Sequence, residues 1–248
     1  MKKILYLLLD HHLVKDKSEA CQLTWLTEIS PNSEVIFIGD SLMPDSVSGY
    51  EVYKPIKNEP IKSKDNITEK ILLSFKYALS KEWDFLLRID VDAYCNIKNL
   101  HSYIENLNTL DPLYTGQGIH FVTNKYPCYL SNVGDELPPK DYTYYYAQGG
   151  CYLLSRSALK SSINQMFYPA PIHPSYEDIM VGVAMEKSGI PLQDRPDLFN
   201  SGYKGRGWPK MGTRRNNIKE HIDMINSGYI STHTLNSKQI YRIHNSKH

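Results

Sequence analysis

The sequence predicts an α/β fold in which helices flank a mostly parallel central sheet. Short apolar runs at residues 2–9, 34–38 and 85–89 have the length and composition of buried strands. Helical patterns at residues 18–29 and 66–81 separate these runs, and alternating strands and helices are typical of a parallel sheet with crossover helices. With 248 residues, 41% hydrophobic and 22% charged, the chain has the length and composition of one such soluble domain.

The first half of the chain, residues 1–92, contains these three strands and both helices. His11 and His12 follow the first strand. We expect Ser18 to be the N-cap of the helix at 18–29 and Leu23 to belong to its apolar stripe. Residues 49–53 are expected to form a short strand, and residues 54–65 a polar surface loop.

The second half, residues 93–248, alternates in the same way. We expect helices at 97–106, 155–166 and 177–188 and strands at 114–122, 144–154 and 190–192. Ser155 is expected to cap the helix after it, and Gly189 to end the last of these helices. From residue 199 onward the chain is rich in Gly, Lys, Arg and His and is expected to close over the site as loops. Because no linker or repeat interrupts the pattern, we predict one domain over residues 1–248.

Charge and cysteine content narrow the classes of protein that fit. The formal net charge of +1 gives no overall field that would attract nucleic acid or an anionic membrane. No segment approaches the roughly 18 apolar residues of a membrane span, so none is predicted. The four cysteines are widely spaced and form no C-x-x-C pair, which is typical of reduced thiols. These features predict a cytoplasmic protein.

A pair of carboxylates follows the buried strand at 85–89. Asp90 and Asp92 are separated by Val91 and come where a parallel strand ends, the edge at which open α/β sheets bind ligands. Their oxygens suit Mg²⁺ or Mn²⁺, and through the ion a diphosphate. Alone, the pattern is explained equally well as an acidic turn that caps the next helix.

Two later motifs carry further chemistry. Gly149 and Gly150 precede a predicted strand, where the missing side chains allow either close approach of a ligand or a β-bulge. Glu177 and Asp178 open a helix, where carboxylates are stabilised by the helix dipole whatever their function. If one of them is a general base, the dipole should lower its pKa and keep it ionised.

Four stretches occur in a fixed order: FLLRIDVDAY, YAQGGCYLLSRSAL, YEDIMVGVAMEKSGI and the late THTL. Together, over roughly residues 83–236, they resemble the inverting GT-A glycosyltransferases of the Fringe and beta-3-galactosyltransferase superfamily. That family has an apolar strand ending in a triple-acid motif, then a Gly-Gly strand, a Glu-Asp pair and a late His-x-Leu. The resemblance implies a GT-A, Rossmann-like fold.

The resemblance also implies roles for individual residues. Asp92 and His233 would bind Mn²⁺ or Mg²⁺, and Asp90 would support the ion or contact the donor's ribose. Asp178 would be the catalytic base, and Glu177 would orient the acceptor or its own neighbour, Asp178. Residues 1–92 would bind the nucleotide-sugar donor, a UDP-sugar, and residues 93–248 the acceptor glycan.

The chain departs from the family pattern in two ways. Val91 replaces the middle acid of the triple motif, which leaves the metal contacts to the outer pair. The family members are mostly membrane-anchored and disulfide-bonded, whereas this sequence predicts neither feature. We therefore expect a bacterial or viral cytosolic relative.

Other residues have both a functional and an ordinary interpretation. His11 lies where a nucleotide base could stack, although histidines at strand ends are commonly exposed loop residues. The basic segment 204–215 contains Lys204 and Arg206, which could pair with the donor diphosphate, and Trp208, which could stack on a base. A solvated loop explains the same segment as well.

Three alternatives compete with the glycosyltransferase interpretation. A haloacid dehalogenase phosphatase also has D-x-D, but on its first strand and with Thr or Val at the position of Tyr94 here, so we discount it. A non-catalytic sugar- or nucleotide-binding module could keep the same fold. A glycosyltransferase acting on modified DNA bases would use the basic segment, and the near-zero net charge argues against it.

Overall fold

The computed structural model describes residues 2–56, 67–122, 143–166, 177–201 and 217–247. The strands in these ranges are β1 (Ile4–Leu9), β2 (Glu34–Ile38), β3 (Ser46–Val47), β4 (Tyr50–Tyr53), β5 (Phe85–Asp90), β6 (Tyr94–Cys95), β7 (Tyr114–Val122), β8 (Thr143–Ser155), β9 (Gln193–Asp194), β10 (Phe199–Asn200) and β11 (Ser231–Thr232). The helices are α1 (Lys15–Gln22), α2 (Ile67–Ala78), α3 (Ile97–Glu105), α4 (Arg156–Ser162), α5 (Glu177–Lys187), α6 (Ile218–Asn226) and α7 (Ser237–Asn245). The predicted α/β architecture is confirmed.

The main sheet has the strand order β3-β4-β2-β1-β5-β8-β7-β9 in the part of the chain that the structure describes. Strand β1 pairs in parallel with β2 and β5, so the carboxyl ends of these three strands share one edge. Strand β8 runs antiparallel to β5, with Ile89 opposite Cys151. Because β8 runs the other way, Gly149 and Gly150 lie beside the carboxyl end of β5. This reversal brings two distant motifs to one place.

Apolar side chains cover both faces of the main sheet. Along β1, Tyr6 and Leu8 belong to one buried cluster, whereas Leu5 and Leu7 belong to the other. A strand buried on both faces reads as a continuous apolar run, which explains why β1, β2 and β5 were predictable from sequence.

A second, small sheet carries His233 to the same edge. Its order is β10-β11-β6, and β11 pairs antiparallel with β6, which follows the D-x-D motif. The Leu235 amide then donates to the Asp92 carbonyl over 2.9 Å. His233 lies between these two anchors, so it is fixed beside the carboxylates of the motif.

The predicted first helix was wrong in its position. Helix α1 begins at Lys15, and Ser18 lies inside it, where its Oγ donates to Asp10 Oδ2 at 2.6 Å. Asp10 offers the serine hydroxyl a buried acceptor, so Ser18 is not the N-cap. Leu23 is 60% exposed and does not belong to the apolar stripe.

The expectation of loops after residue 199 was also wrong. Helices α6 and α7 form there and bury Ile225, Ile240 and Ile243. Each helix has nine residues with isoleucines at helical spacing, at 218, 222 and 225 in α6 and at 240 and 243 in α7. The basic composition of the wider segment from residue 199 onward hid this periodicity. The strand expected at 190–192 forms instead at Gln193–Asp194, and most of the loop expected at 54–65 lies outside the described residues.

Candidate functional site

The carboxylates of Asp90 and Asp92 converge on one imidazole. Asp90 Oδ2 lies 3.2 Å and Asp92 Oδ1 2.7 Å from His233 Nε2. The other ring nitrogen of His233, Nδ1, lies 3.3 Å from the Ser201 carbonyl oxygen. Because a carbonyl oxygen only accepts, Nδ1 carries the proton and Nε2 is the nitrogen directed at the carboxylates. A histidine held this way presents the correct nitrogen to a metal ion.

This donor set fits a divalent cation. Asp90, Asp92 and His233 each offer one ligand atom, and these atoms lie within 4.8 Å of one another. Two carboxylates and one imidazole suit Mn²⁺, while Mg²⁺ prefers oxygen ligands alone. The three residues predicted as metal ligands are therefore brought together, and their chemistry favours Mn²⁺.

The same groups perturb one another's ionisation. Burial alone would lower the pKa of His233, but the Asp92 and Asp90 carboxylates outweigh it and raise that pKa to about 10. Burial opposes the ionisation of Asp92, yet His233 and Lys17 together lower the pKa of its carboxyl. Lys17 Nζ lies 3.2 Å from Asp92 Oδ2. Positive charge thus compensates the carboxylates, as a bound cation would.

Gly149 and Gly150 lie between the Asp90–Asp92–His233 cluster and the start of helix α5. A Cβ on Gly150 would lie 2.3 Å from His233 Nδ1, and one on Gly149 would lie 2.8 Å from Glu177 Oε1. Real Cβ atoms do not approach that closely, so glycine is needed at both positions. The glycines are packed against site side chains; their predicted contact with substrate stays a prediction.

The first two residues of helix α5, Glu177 and Asp178, lie beside Gly149. Asp178 Oδ2 accepts from the Gly149 amide at 3.2 Å, and Oδ1 accepts from the Ile179 amide at 2.9 Å. Glu177 is buried and pairs with Arg88. Asp178 is half-buried whereas Glu177 is buried, so Asp178 is the less enclosed of the two residues.

The expectation that the helix dipole would lower the pKa of the base was wrong. Burial and the adjacent Glu177 carboxylate raise the pKa of Asp178 to about 8, against the lowering effect of the two amide hydrogen bonds. Desolvation therefore outweighs the dipole here. A carboxylate with a pKa near neutral is a stronger base than an ordinary one, which suits proton abstraction.

A second cluster lies at the carboxyl ends of β1 and β2. His12 Nδ1 is 2.8 Å and His11 Nε2 is 3.5 Å from Asp40 Oδ2, and the two rings lie 4.4 Å apart. The residues adjoin a cavity of about 510 Å³ whose lining includes Asp10, His11, His12, Leu42 and Met43. His11 therefore lies where the sequence predicted a nucleotide contact.

Sequence reasoning missed three members of the site. Arg88 pairs with Asp90 and Glu177, and Lys17 pairs with Asp92. Asp40 contacts His11 and His12, and none of the three missed residues was singled out. A charged residue inside an apolar strand, as in FLLRID, was the available signal for Arg88, because such residues are rarely buried without a partner. The predicted contacts Lys204, Arg206 and Trp208 lie outside the described residues.

The arrangement of elements is that of GT-A glycosyltransferases. The crystal structure of the galactosyltransferase LgtC, bound to donor and acceptor sugar analogs, superposes with a TM-score of 0.52 at 11% identity, over 98% of this chain and 95% of that one. The apo glycosyltransferase GlyE of Streptococcus pneumoniae TIGR4 gives a TM-score of 0.50 at 9% identity, over 98% of this chain and 60% of that one. At such identities the likeness shows the fold alone, and the predicted GT-A fold is confirmed.

Sequence comparison defines the family more closely. The galactosyltransferase family model matches residues 62–196, more than half of the chain, and the protein belongs to that family. The human UDP-GalNAc:beta-1,3-N-acetylgalactosaminyltransferase 1 is 24% identical over 161 residues, which are 58% of this chain and 44% of that enzyme. Its Mus musculus counterpart is 23% identical over 182 residues, or 69% of this chain and 48% of that enzyme. The chain thus spans somewhat less than half of the curated relatives it matches.

No helix among the described residues is both long and apolar enough to cross a membrane. Cys21, Cys95 and Cys151 are buried free thiols.

Proposed function

We propose that this protein is a metal-dependent, inverting glycosyltransferase that moves a sugar from a UDP-sugar to an acceptor hydroxyl. The observation that carries the proposal is the juxtaposition across Gly149 and Gly150. On one side lie Asp90, Asp92 and His233, a set that suits Mn²⁺, and on the other lies the carboxylate of Asp178. A site for a nucleoside diphosphate and a site for a general base are therefore neighbours.

Donor binding would use the shared edge of β1, β2 and β5. The cavity beside His11 and His12 has room for a nucleoside, and the Asp90–Asp92–His233 cluster at the end of β5 would hold the diphosphate through the ion. Lys17 lies beside Asp92 and would contact phosphate oxygens. The curated relatives are named as UDP-GalNAc transferases, which supports a UDP-sugar donor.

The residues of the chain would divide the chemistry as follows. A divalent ion held by Asp90, Asp92 and His233 would supply Lewis acidity at the departing diphosphate. Asp178 accepts the proton of the acceptor hydroxyl while that oxygen forms a bond to the anomeric carbon and the bond to the diphosphate breaks. Because attack and departure occur on opposite faces, the anomeric configuration inverts and no covalent enzyme intermediate forms. Glu177, held by Arg88, keeps Asp178 oriented toward the acceptor.

A glycan hydroxyl is the acceptor we propose. The DNA-base alternative depended on the basic segment 204–215, which lies outside the described residues, and nothing in the site or the relatives favours it. We keep the cytoplasm as the predicted location.

Calorimetric titration of UDP, first with Mn²⁺ and then with EDTA, tests the donor site. We expect binding that requires Mn²⁺ and that disappears in Asp92→Ala. The control Asp223→Ala removes an exposed aspartate of α6 and should bind as the parent does. Absence of UDP binding under both conditions would contradict the UDP-sugar proposal.

Turnover then separates an enzyme from a binding module. With Mn²⁺ and a panel of UDP-sugars and simple glycans, we expect release of UDP and a product whose anomeric proton signal shows inversion. Metal-dependent binding of UDP without any transfer or hydrolysis would favour the non-catalytic module.

A further inference from the structure

Arg88 is an unusual residue for the centre of a sheet. It lies on β5 between apolar neighbours, and only 1% of its surface is exposed. A buried guanidinium is costly unless carboxylates compensate its charge. Its position therefore has to be explained by its partners.

Those partners belong to the two halves of the site. Arg88 Nη1 lies 2.7 Å from Asp90 Oδ1, and Nη2 donates to Glu177 Oε1. Asp90 is one of the two carboxylates in the Asp90–Asp92–His233 cluster, and Glu177 precedes Asp178 on α5. One planar group thus touches a strand and a helix that are 89 residues apart in the chain.

The two carboxylate oxygens of Asp90 contact different residues. Oδ1 faces Arg88, whereas Oδ2 faces His233 at 3.2 Å. The Nη1–Oδ1 contact is an ion pair without hydrogen-bond alignment, and Arg88 Nε has no hydrogen-bond partner among the described residues. The guanidinium is therefore held by two charges and by packing, with the Tyr152 ring 5.8 Å from its Cζ.

We propose that Arg88 is a positioning residue that couples the metal-binding carboxylate Asp90 to the base-bearing end of α5 through Glu177. The inference deepens the proposed function and rests on it. The charge of Arg88 is divided between two carboxylates. Neutralising Glu177 leaves the whole charge on Asp90, which holds Oδ1 more tightly and competes with a cation for that carboxylate.

The first test changes a residue that does not belong to the Asp90–Asp92–His233 cluster and measures the Mn²⁺ affinity of the variant protein. In Glu177→Gln, Mn²⁺ titrated without nucleotide and followed by electron paramagnetic resonance should bind about tenfold more weakly, within the range known for outer-shell groups. The control Glu186→Gln removes the same charge from an exposed position on the same helix and should leave the affinity unchanged. An affinity in Glu177→Gln within about twofold of the parent would overturn the proposal.

The second test needs no metal. In EDTA, thermal unfolding is compared for Asp90→Asn, Glu177→Gln and the double variant. Each single change leaves Arg88 one carboxylate, but the double change leaves a buried, unpaired guanidinium, so the loss in melting temperature should exceed the sum of the single losses. Adding Arg88→Met to the double variant should regain most of that loss. If the losses in melting temperature were additive, or if Arg88→Met recovered none of them, the proposed coupling through Arg88 would be overturned.

The two tests separate this inference from the proposed function. If the parent protein binds no Mn²⁺, the metal part of the proposed function fails, and the unfolding cycle still decides whether Arg88 joins the two elements. If the parent binds Mn²⁺ and the Glu177→Gln affinity is unchanged, the proposed function stands and the coupling fails.

Discussion

Two clusters of histidine and aspartate lie at the same edge of the main sheet, and they are built for different tasks. Asp90, Asp92 and His233 form one, and His11, His12 and Asp40 form the other. The residue types are the same, and in each cluster the ligand atoms lie within 4.8 Å of one another. The two clusters differ in the hydrogen bonds that the ring nitrogens of their histidines make with the backbone.

In the first cluster the backbone fixes which nitrogen of the histidine faces the carboxylates. His233 Nδ1 donates to the Ser201 carbonyl, so Nε2 faces Asp90 and Asp92. In the second, the Leu13 amide donates to His11 Nδ1 at 3.2 Å, which places the proton of the neutral ring on Nε2. Nε2 lies 3.5 Å from Asp40 Oδ2, and while it carries that proton it cannot bind a cation. Neutral His233 would therefore offer a lone pair to a cation once Nε2 loses its proton, whereas neutral His11 keeps a proton on the nitrogen that faces Asp40.

Asp40 is also more fully occupied than Asp90. Its oxygens accept from the amides of His12 and Leu42, both at 2.9 Å, and from the His12 ring. Although burial opposes it, these hydrogen bonds lower the pKa of the Asp40 carboxyl. Asp40 is thus an ionised carboxylate whose hydrogen bonds tie together the backbone at residues 12 and 42.

The largest expected difference between the clusters is in Mn²⁺ affinity. Asp90→Asn removes a ligand charge and should weaken Mn²⁺ binding by more than about 100-fold, beyond the usual effect of outer-shell groups. Asp40→Asn makes the same chemical change in the other cluster and should leave Mn²⁺ affinity within about twofold. Calorimetry on both variants checks this, and equal losses would mean that the comparison is mistaken.

How far the sequence predicted the site depends on which elements carry each residue. Asp90 and Asp92 were found because an apolar strand ends at them, and Asp178 because it opens a helix. Asp40 and Lys17 were missed because their relation to the motif exists only after β1, β2 and α1 are packed side by side. His233 needed the family resemblance, since two residues of β11 give no periodic signal.

The ionisation of Asp178 shows the same limit. Its helix position was predicted correctly, yet the sign of its pKa shift was not. The dipole can be inferred from sequence, whereas the burial of the carboxyl beside Glu177 depends on how α5 packs against β8. The effect of the helix dipole on Asp178 could be inferred from the sequence, but the desolvation of its carboxyl could not.

The pH dependence of turnover is the next largest effect. Because the pKa of Asp178 is raised to about 8, kcat/KM at saturating Mn²⁺ should rise about tenfold per pH unit below that value and level off above it. Glu177→Gln removes the neighbouring charge and should move the rise to lower pH, while Glu186→Gln should not. A profile flat from pH 6 to 9 at saturating Mn²⁺ would exclude Asp178 as the titrating base.

The raised pKa of Asp178 also has a consequence for stability. A folded-state pKa above the unfolded value contributes stability that is complete near pH 4 and is lost as pH rises through about 8. Asp178→Asn removes that loss, so it should raise the melting temperature at pH 8 by about 2–4 °C for each kcal/mol relieved. At pH 4 the parent and the variant should melt alike; a lower melting temperature for the variant at pH 8 would argue against the shift. The same variant should lose turnover by about 10²–10⁴-fold.

A smaller effect is expected from adding one methyl group beside each cluster. The Cβ in Gly150→Ala would lie 2.3 Å from His233 Nδ1, so the imidazole must move and Mn²⁺ affinity should fall about tenfold. In Gly39→Ala the Cβ would lie 2.7 Å from Val52 Cγ1, which is also closer than real Cβ atoms approach, next to Asp40. We expect Gly39→Ala to lower the melting temperature while Mn²⁺ affinity is kept. Loss of Mn²⁺ affinity in both variants would indicate general unfolding of the edge rather than displacement of His233.

The smallest effect is expected at His12, and it decides what the second cluster does. If His11, His12 and Asp40 shape the nucleoside cavity, His12→Ala should weaken UDP binding about fivefold at saturating Mn²⁺, the value of one hydrogen bond. Mn²⁺ affinity measured without nucleotide should be unchanged, because the ring nitrogens that face Asp40 carry protons and Asp40 already accepts hydrogen bonds from two backbone amides. A parallel loss of Mn²⁺ affinity would show that this cluster binds metal, and the hydrogen-bond argument that separates the two would fail. Loss of UDP affinity alone would assign the cation to the end of β5 and the nucleoside to the ends of β1 and β2.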